Sequence, residues 1–115
     1  MTDTDDSNVK NPELAIDYIF RYGKQFAQAK ANRIYCEEYR KSLKAILMKR
    51  SMEAAVNAQE RDAYSDPEYV NLLQALKAAV EIEEEIRWRL VAAQARIEVW
   101  RSMEATSRSE IKATL

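Results

Sequence analysis

A heptad repeat in the second half of the chain limits most strongly what this sequence can fold into. Nine positions follow alternating steps of four and three residues, and eight of the nine are apolar. This spacing keeps a narrow stripe on one side of an α-helix, and it is the period of a left-handed coiled coil. It predicts a long helix with a core or oligomer seam formed by Leu72, Leu76, Ala79, Glu83, Ile86, Leu90, Ala93, Ile97 and Trp100.

Two similar start signals divide the chain into helices. Asn11-Pro12-Glu13 and Asp66-Pro67-Glu68 each combine a capping side chain, a proline for the first helical position and an acid for the first turn. The chain has only one glycine, Gly23, which could kink the first helix. We therefore predict an all-α fold, an antiparallel two-helix hairpin with helices over about 12–63 and 67–108 and a turn at about 64–66. Residues 1–10 are expected to be a disordered acidic tail, and 109–115 a frayed tail.

Apolar residues in the first helix recur mostly in steps of four, and both helices carry more of them than one hairpin buries. The predicted face of the first helix consists of Ile16, Phe20, Ala27, Ala31, Tyr35, Tyr39, Leu43 and Ile46. The second helix has further apolar residues off its seam, at Leu73, Val80, Trp88, Val91 and Val99. This surplus predicts self-association, most simply a dimeric four-helix bundle or a higher homo-oligomer.

Charge is strongly segregated although the net charge is only −1. Residues 18–50 carry nine bases and two acids, residues 51–85 carry two bases and nine acids, and residues 86–115 carry six bases and three acids. If the chain reverses near residue 65, segment 18–50 lies beside 86–115, and the open end of the hairpin is basic. Three explanations stay open: complementary ends in an antiparallel dimer, a basic surface for nucleic acid or an acidic partner, and regulation by the acidic tail.

The residue types present argue against most catalytic chemistry. The chain has no histidine, so it lacks the usual general base near neutral pH and the Glu-x-x-His di-iron motif. The one cysteine, Cys36, cannot form an intramolecular disulfide or a thiolate zinc site, and we expect it in the core. No glycine-rich phosphate loop is present. We therefore predict a cytoplasmic non-enzyme without cofactor, metal, small-molecule substrate or membrane association.

Four glutamates precede the arginine-rich part of the second helix. Glu81, Glu83, Glu84 and Glu85 point to different sides of one helix, so a solvated face explains them better than a metal site. The spacing predicts pairs of Glu83 with Arg87 and of Glu85 with Arg89. Because Glu83 occupies a seam position, it either fixes the register, reaches solvent or meets Lys44 or Arg50.

The best candidates for contacts with phosphate or with a protein partner are basic residues near aromatic rings. They are Arg33, Arg40, Lys41, Lys44, Arg87, Trp88, Arg89 and Arg96. Trp88 is either an oligomer contact or an exposed residue that stacks on a base or binds a partner. Tyr35 and Tyr39 lie on the predicted apolar face, so we expect them in the core.

Two blocks of the sequence resemble a group of small uncharacterised helical proteins of tailed phages and prophages. They are AKANRIYCEEYRKSLKAILM at 29–48 and WRLVAAQARIEVWRSMEA at 88–105, with Gln59-Glu60-Arg61 and Asp66-Pro67-Glu68-Tyr69 between them. The resemblance covers roughly residues 27–106. It implies a gene in the early region, near recombination and replication functions, and it assigns no functional residues.

Together these features predict a non-enzymatic phage accessory protein in DNA recombination or replication. It would bind single-stranded DNA, or a phage or host DNA-processing protein, through a basic helical surface. The alternatives are an inhibitor of a host nuclease or defence complex, whose acidic patches imitate DNA, and a virion assembly factor.

Overall fold

The computed structural model describes residues 12–114, and this part of the chain is entirely helical apart from short connections. Helix α1 spans Pro12–Arg50, α2 spans Val56–Ser65 and α3 spans Pro67–Thr114. The predicted all-α class is confirmed. The predicted acidic tail, residues 1–10, and the predicted cap at Asn11 lie outside the described residues. None of the three helices is apolar over a stretch long enough to cross a membrane.

The predicted first helix over 12–63 needs correction, because residues 51–55 separate α1 from α2. The Ser51 hydroxyl donates to Asp62 Oδ2 over 2.6 Å, and the Glu53 backbone N–H donates to Ser51 Oγ over 3.2 Å. The Gln59 amide donates to the Glu53 carbonyl over 3.0 Å. These bonds give the backbone an alternative to the helical pattern. The segment contains no glycine or proline, so the usual signals of a helix end are missing.

Helix α3 begins at Pro67, the residue at which the sequence signal places its start. Asp66 caps it, since its Oδ1 accepts the Glu68 backbone N–H over 2.8 Å. The helix continues to Thr114, so residues 109–114 are helical rather than the predicted frayed tail. No glycine or proline follows Pro67 to end it. Every residue from 101 to 114 is exposed.

The chain divides into two compact units, each with its own core. The first unit comprises residues 12–26 of α1 and residues 85–114 of α3. Its buried residues are Ala15, Tyr18 and Ala93, and partly buried side chains pack against them: Ile19, Tyr22, Leu90 and Ile97. The rings of Tyr18 and Tyr22 stack with their centroids 4.3 Å apart.

The second unit, residues 27–84, combines the rest of α1 with α2 and the start of α3. Its core consists of Leu43 and Leu47 from α1, Ala63 from α2 and Tyr69 from α3. Arg33 contacts Glu83 while Arg50 contacts Glu68, so the paired positions on α3 fall in number as those on α1 rise. The α1 and α3 segments of this unit are therefore antiparallel.

The apolar stripe predicted for α1 is not the side of the helix that packs against the rest of the protein. Of its members only Leu43 is buried, whereas Phe20 is 82% exposed and Tyr35 is 66% exposed. The less exposed line follows steps of three and four through Ala15, Tyr18, Tyr22, Phe26, Ala29, Arg33, Cys36, Arg40, Leu43 and Leu47. Two of its residues are arginines, so a pattern of apolar residues alone does not predict this line.

On α3 the predicted seam lies on the less exposed side of the helix. Ala79, Glu83 and Ala93 are buried, and Trp100 is 36% exposed. The remaining members are intermediate, namely Leu72, Leu76, Ile86, Leu90 and Ile97. The apolar residues off this seam are exposed by 39–59%, namely Leu73, Val80, Trp88, Val91 and Val99.

Candidate functional site

An ion pair between α1 and α3 explains the one polar residue of the α3 seam. Arg33 donates to Glu83 through Nε, 2.6 Å from Oε1, and through Nη2, 3.1 Å from Oε2. Its Nη1 also donates to Glu37 Oε1 over 3.1 Å. The Glu83 side chain is only 9% exposed. Such a two-bonded pair fixes the geometry of both groups.

The pair shifts both pKa values in the direction that keeps both groups charged. The hydrogen bonds from Arg33 lower the pKa of Glu83, against the desolvation that raises it. The carboxylates of Glu83 and Glu37 raise the pKa of Arg33. Because two carboxylates already bind its guanidinium, Arg33 is poorly placed for the predicted contact with an external phosphate. The sequence signal for this pair would have been a base on the packing line of α1 together with an acid on the seam of α3.

Two of the partners expected for Glu83, Lys44 and Arg50, pair with other acids. Lys44 Nζ lies 3.8 Å from Glu60 Oε1, and Arg50 Nη1 lies 3.0 Å from Glu68 Oε1. The predicted pair of Glu85 with Arg89 does form, at 2.9 Å.

In the second unit, the basic segment and the acidic segment form ion pairs with each other. Residues 27–50 carry seven bases and two acids, while residues 51–84 carry two bases and eight acids. The three ion pairs just described join these two segments. The expectation that the bases up to residue 50 lie beside 86–115 and form a basic end is therefore wrong for residues 27–50. Arg33 and Arg50 face Glu83 and Glu68, so this part of α1 lies beside the start of α3 rather than beside residues 86–115.

One group of cations in this unit nevertheless converges on a cavity. Arg40, Lys41 and Lys44 of α1 line a space of about 310 Å³ with Tyr64 of α2 and Tyr69 of α3. We refer to it as the cationic cavity. Lys44 Nζ lies 4.9 Å from the centre of the Tyr64 ring. Contact with Tyr64, and secondarily the Glu60 carboxylate, raises the pKa of Lys44. The three cations belonged to the predicted set; the two tyrosines did not, because only the fold brings them near.

The other predicted site residues lie in the first unit, on α3. Trp88 is 59% exposed, and the Arg87 guanidinium carbon lies 5.1 Å from the centre of its ring. Arg89 and Arg96 lie one and eight residues further along the helix, Arg89 exposed and Arg96 half-buried. Successive residues of a helix are about 100° apart, so these four spread around α3; we refer to them together as the Trp88 surface.

Tyr35 and Tyr39 do not belong to the core as predicted. They are 66% and 38% exposed, and their rings stack nearly parallel with centroids 6.0 Å apart. Their positions four residues apart place both rings on the outer side of α1, away from the line that packs.

Side chains suited to metal binding do not cluster in residues 12–114: no group of three or more acidic or cysteine residues is positioned to hold an ion. Cys36 is buried and unbridged. Comparisons with protein-family models, with curated proteins and with solved structures gave no significant match.

Proposed function

We propose that this protein is a non-enzymatic phage accessory factor of DNA recombination or replication that binds single-stranded DNA in the host cytoplasm. The Trp88 surface is the observation that supports this function. An exposed indole with the Arg87 guanidinium next to its ring, on a helix segment with two further arginines, combines a platform for base stacking with cations for the phosphate backbone. Residues 85–114 carry six bases and four acids, so the surroundings of Trp88 favour an anionic ligand.

The Trp88 surface is a better candidate than the bases of residues 27–50 for an electrostatic reason. In that segment three of the seven cations face acids of α2 or α3. On the Trp88 surface, Arg89 is 2.9 Å from Glu85, but this pair lies on an exposed helix side and is weakly held. Arg96 forms no ion pair with any residue in the described range 12–114. Its charge is available to a phosphate.

The function is tested by the affinity for a labelled single-stranded oligonucleotide with a 5′-hydroxyl end. Trp88→Ala removes the stacking ring, and we expect binding about tenfold weaker, since one stacked base contributes roughly 1–3 kcal/mol. Arg96→Ala should weaken binding less and reduce its salt dependence. Arg61→Ala removes the same charge as Arg96→Ala at an exposed residue of α2. It is the control and should bind like the wild type. Unchanged affinity in Trp88→Ala would contradict the proposed role of this surface.

We also propose that the protein forms a homo-oligomer, most simply a dimer in which each subunit contributes a helical hairpin to a four-helix bundle. The support comes from apolar side chains that neither unit covers. In the first unit these include Phe20 at 82% and Val99 at 46% exposure. In the second unit they include Ile34, Leu73 and Val80, each about 40% exposed. Such residues are typical of a surface that another protein chain covers.

The alternative of an inhibitor that imitates DNA charge has weaker support. It depends on acids at Glu81, Glu84 and Glu85. Glu85 forms an ion pair with Arg89, and Glu84 is half-buried. This leaves Glu81 as the more accessible of the three.

A further inference from the structure

We propose that the cationic cavity binds a phosphate monoester, the dianionic group found on a free nucleotide or at the end of a DNA strand. This inference concerns a site in the second unit and does not depend on DNA binding at the Trp88 surface. The proposal depends on which of the three cations in the cavity have an acidic partner within the protein and which do not.

Arg40 is the cation of the cavity on which the proposal depends most. It lies on the packing line of α1, one heptad after Arg33, and is half-buried. Arg33 is bound by the carboxylates of Glu83 and Glu37. In contrast, Arg40 forms no ion pair with any residue from 12 to 114. A half-buried guanidinium has lost part of its hydration without gaining a carboxylate, and an anion in the cavity would restore that interaction.

The two lysines of the cavity keep donors available. Lys44 Nζ is 3.8 Å from Glu60 Oε1, longer than a direct hydrogen bond. Lys41 Nζ is 3.2 Å from Glu38 Oε2, and both side chains of that pair are largely exposed. An ammonium group has three N–H donors, so each lysine keeps donors that these contacts do not use. Lys44 is charged at neutral pH as any lysine is, and contact with Tyr64 raises its pKa further.

The size and lining of the cavity favour a phosphate carried by a nucleotide. Its volume of about 310 Å³ lies at the lower end of the range for small-molecule sites, roughly 300–1,000 Å³. Three cations lining one cavity suit a dianion, and a guanidinium binds phosphate oxygens through two parallel bonds. Tyr64 is 47% exposed, which leaves part of its ring for contact with a sugar or a base. The same phosphate group could belong to a free nucleotide or to the 5′ end of a strand.

Calorimetric titration of the full chain tests the proposal with three probes. They are adenosine monophosphate, a 5′-phosphorylated single-stranded oligonucleotide, and the same oligonucleotide with a 5′-hydroxyl end. The key variant is Arg40→Leu, which places an apolar residue at a packing position and should keep the fold. Its matched control is Arg61→Leu on the exposed side of α2. Lys41→Gln changes a largely exposed residue and serves as a second variant if Arg40→Leu unfolds.

We expect the wild type and Arg61→Leu to bind a phosphate-bearing probe, and Arg40→Leu to bind it at least about tenfold more weakly. Binding of adenosine monophosphate alone supports a free nucleotide as the ligand. A preference for the phosphorylated over the hydroxyl strand supports a strand end. The proposal is overturned if adenosine monophosphate does not bind and the 5′-phosphate adds no affinity, or if both leucine variants bind equally. Binding of the hydroxyl strand tests only the Trp88 surface, so the two proposals fail separately.

Discussion

Arg33 and Arg40 are the same residue type at equivalent positions of α1, but their surroundings differ. Both occupy the packing line of α1, seven residues apart, and both are half-buried. Arg33 meets a nearly buried carboxylate from α3 and holds the helices in one register. Arg40 meets two tyrosines and two lysines around a cavity. The sequence presents the two arginines alike, and only the residues opposite them distinguish the structural role of Arg33 from the binding role proposed for Arg40.

Replacing Glu83 with glutamine should lower the thermal unfolding midpoint clearly. The change leaves the half-buried Arg33 facing a neutral amide in place of its two-bonded carboxylate. Glu98→Gln is the control, because it breaks an exposed pair with Arg101 that contributes little. Circular dichroism on heating measures both. Equal midpoints for the two variants would show that the Arg33–Glu83 pair does not stabilise the fold.

The same pair predicts how stability depends on pH. Arg33 lowers the pKa of Glu83 below its ordinary value near 4.5 in the folded chain. The unfolded chain therefore binds the proton first, and folding stability falls as pH drops below about 4.5 towards the lowered pKa. Urea unfolding from pH 6 down to pH 3 should show a steeper loss for the wild type than for Glu83→Gln. Parallel curves would contradict this assignment.

At the level of the elements, the sequence predicts α3 better than α1. The Asp66-Pro67 signal gives the start of α3, and its apolar heptad follows the less exposed side of the helix. In α1 the packing line contains Arg33 and Arg40, so a count of apolar residues selects a stripe that is mostly exposed. The break at 51–55 contains no glycine or proline, and its Ser51 contacts Asp62, eleven residues away. Arg33 likewise contacts a residue far away in sequence, Glu83, and such contacts leave no local signal.

Two adjacent residues of α1 separate the predicted stripe from the observed packing line. Leu47 is 3% exposed in the core of the second unit, whereas Ile46, a member of the predicted stripe, is 42% exposed. Leu47→Ala should reduce the free energy of unfolding by about 2–5 kcal/mol. Ile46→Ala should cost less than about 1 kcal/mol, because its side chain is largely solvated. Denaturant unfolding measures both losses. A larger loss for Ile46→Ala than for Leu47→Ala would contradict the observed packing line and favour the predicted stripe.

At the scale of the whole molecule, apolar side chains remain exposed in both units, and this predicts self-association. Light scattering coupled to size exclusion at micromolar concentration should give at least twice the mass of one chain, 13.3 kDa. Phe20→Glu places a charge at the most exposed ring in residues 12–114 and should shift the mass towards the monomer. Lys24→Glu, one turn away and also exposed, is the control and should leave the mass unchanged. A monomeric wild type would refute the oligomer.

We propose that the protein binds single-stranded DNA through cations and an exposed tryptophan. The most direct measurement is the fluorescence anisotropy of a labelled single-stranded oligonucleotide, titrated with the wild-type protein over a series of salt concentrations. We predict binding at low salt, with the logarithm of the association constant falling linearly with the logarithm of salt concentration. The slope should be about −0.7 for each phosphate contacted. No change in anisotropy at the lowest salt concentration, or an affinity that does not depend on salt, would contradict the claim.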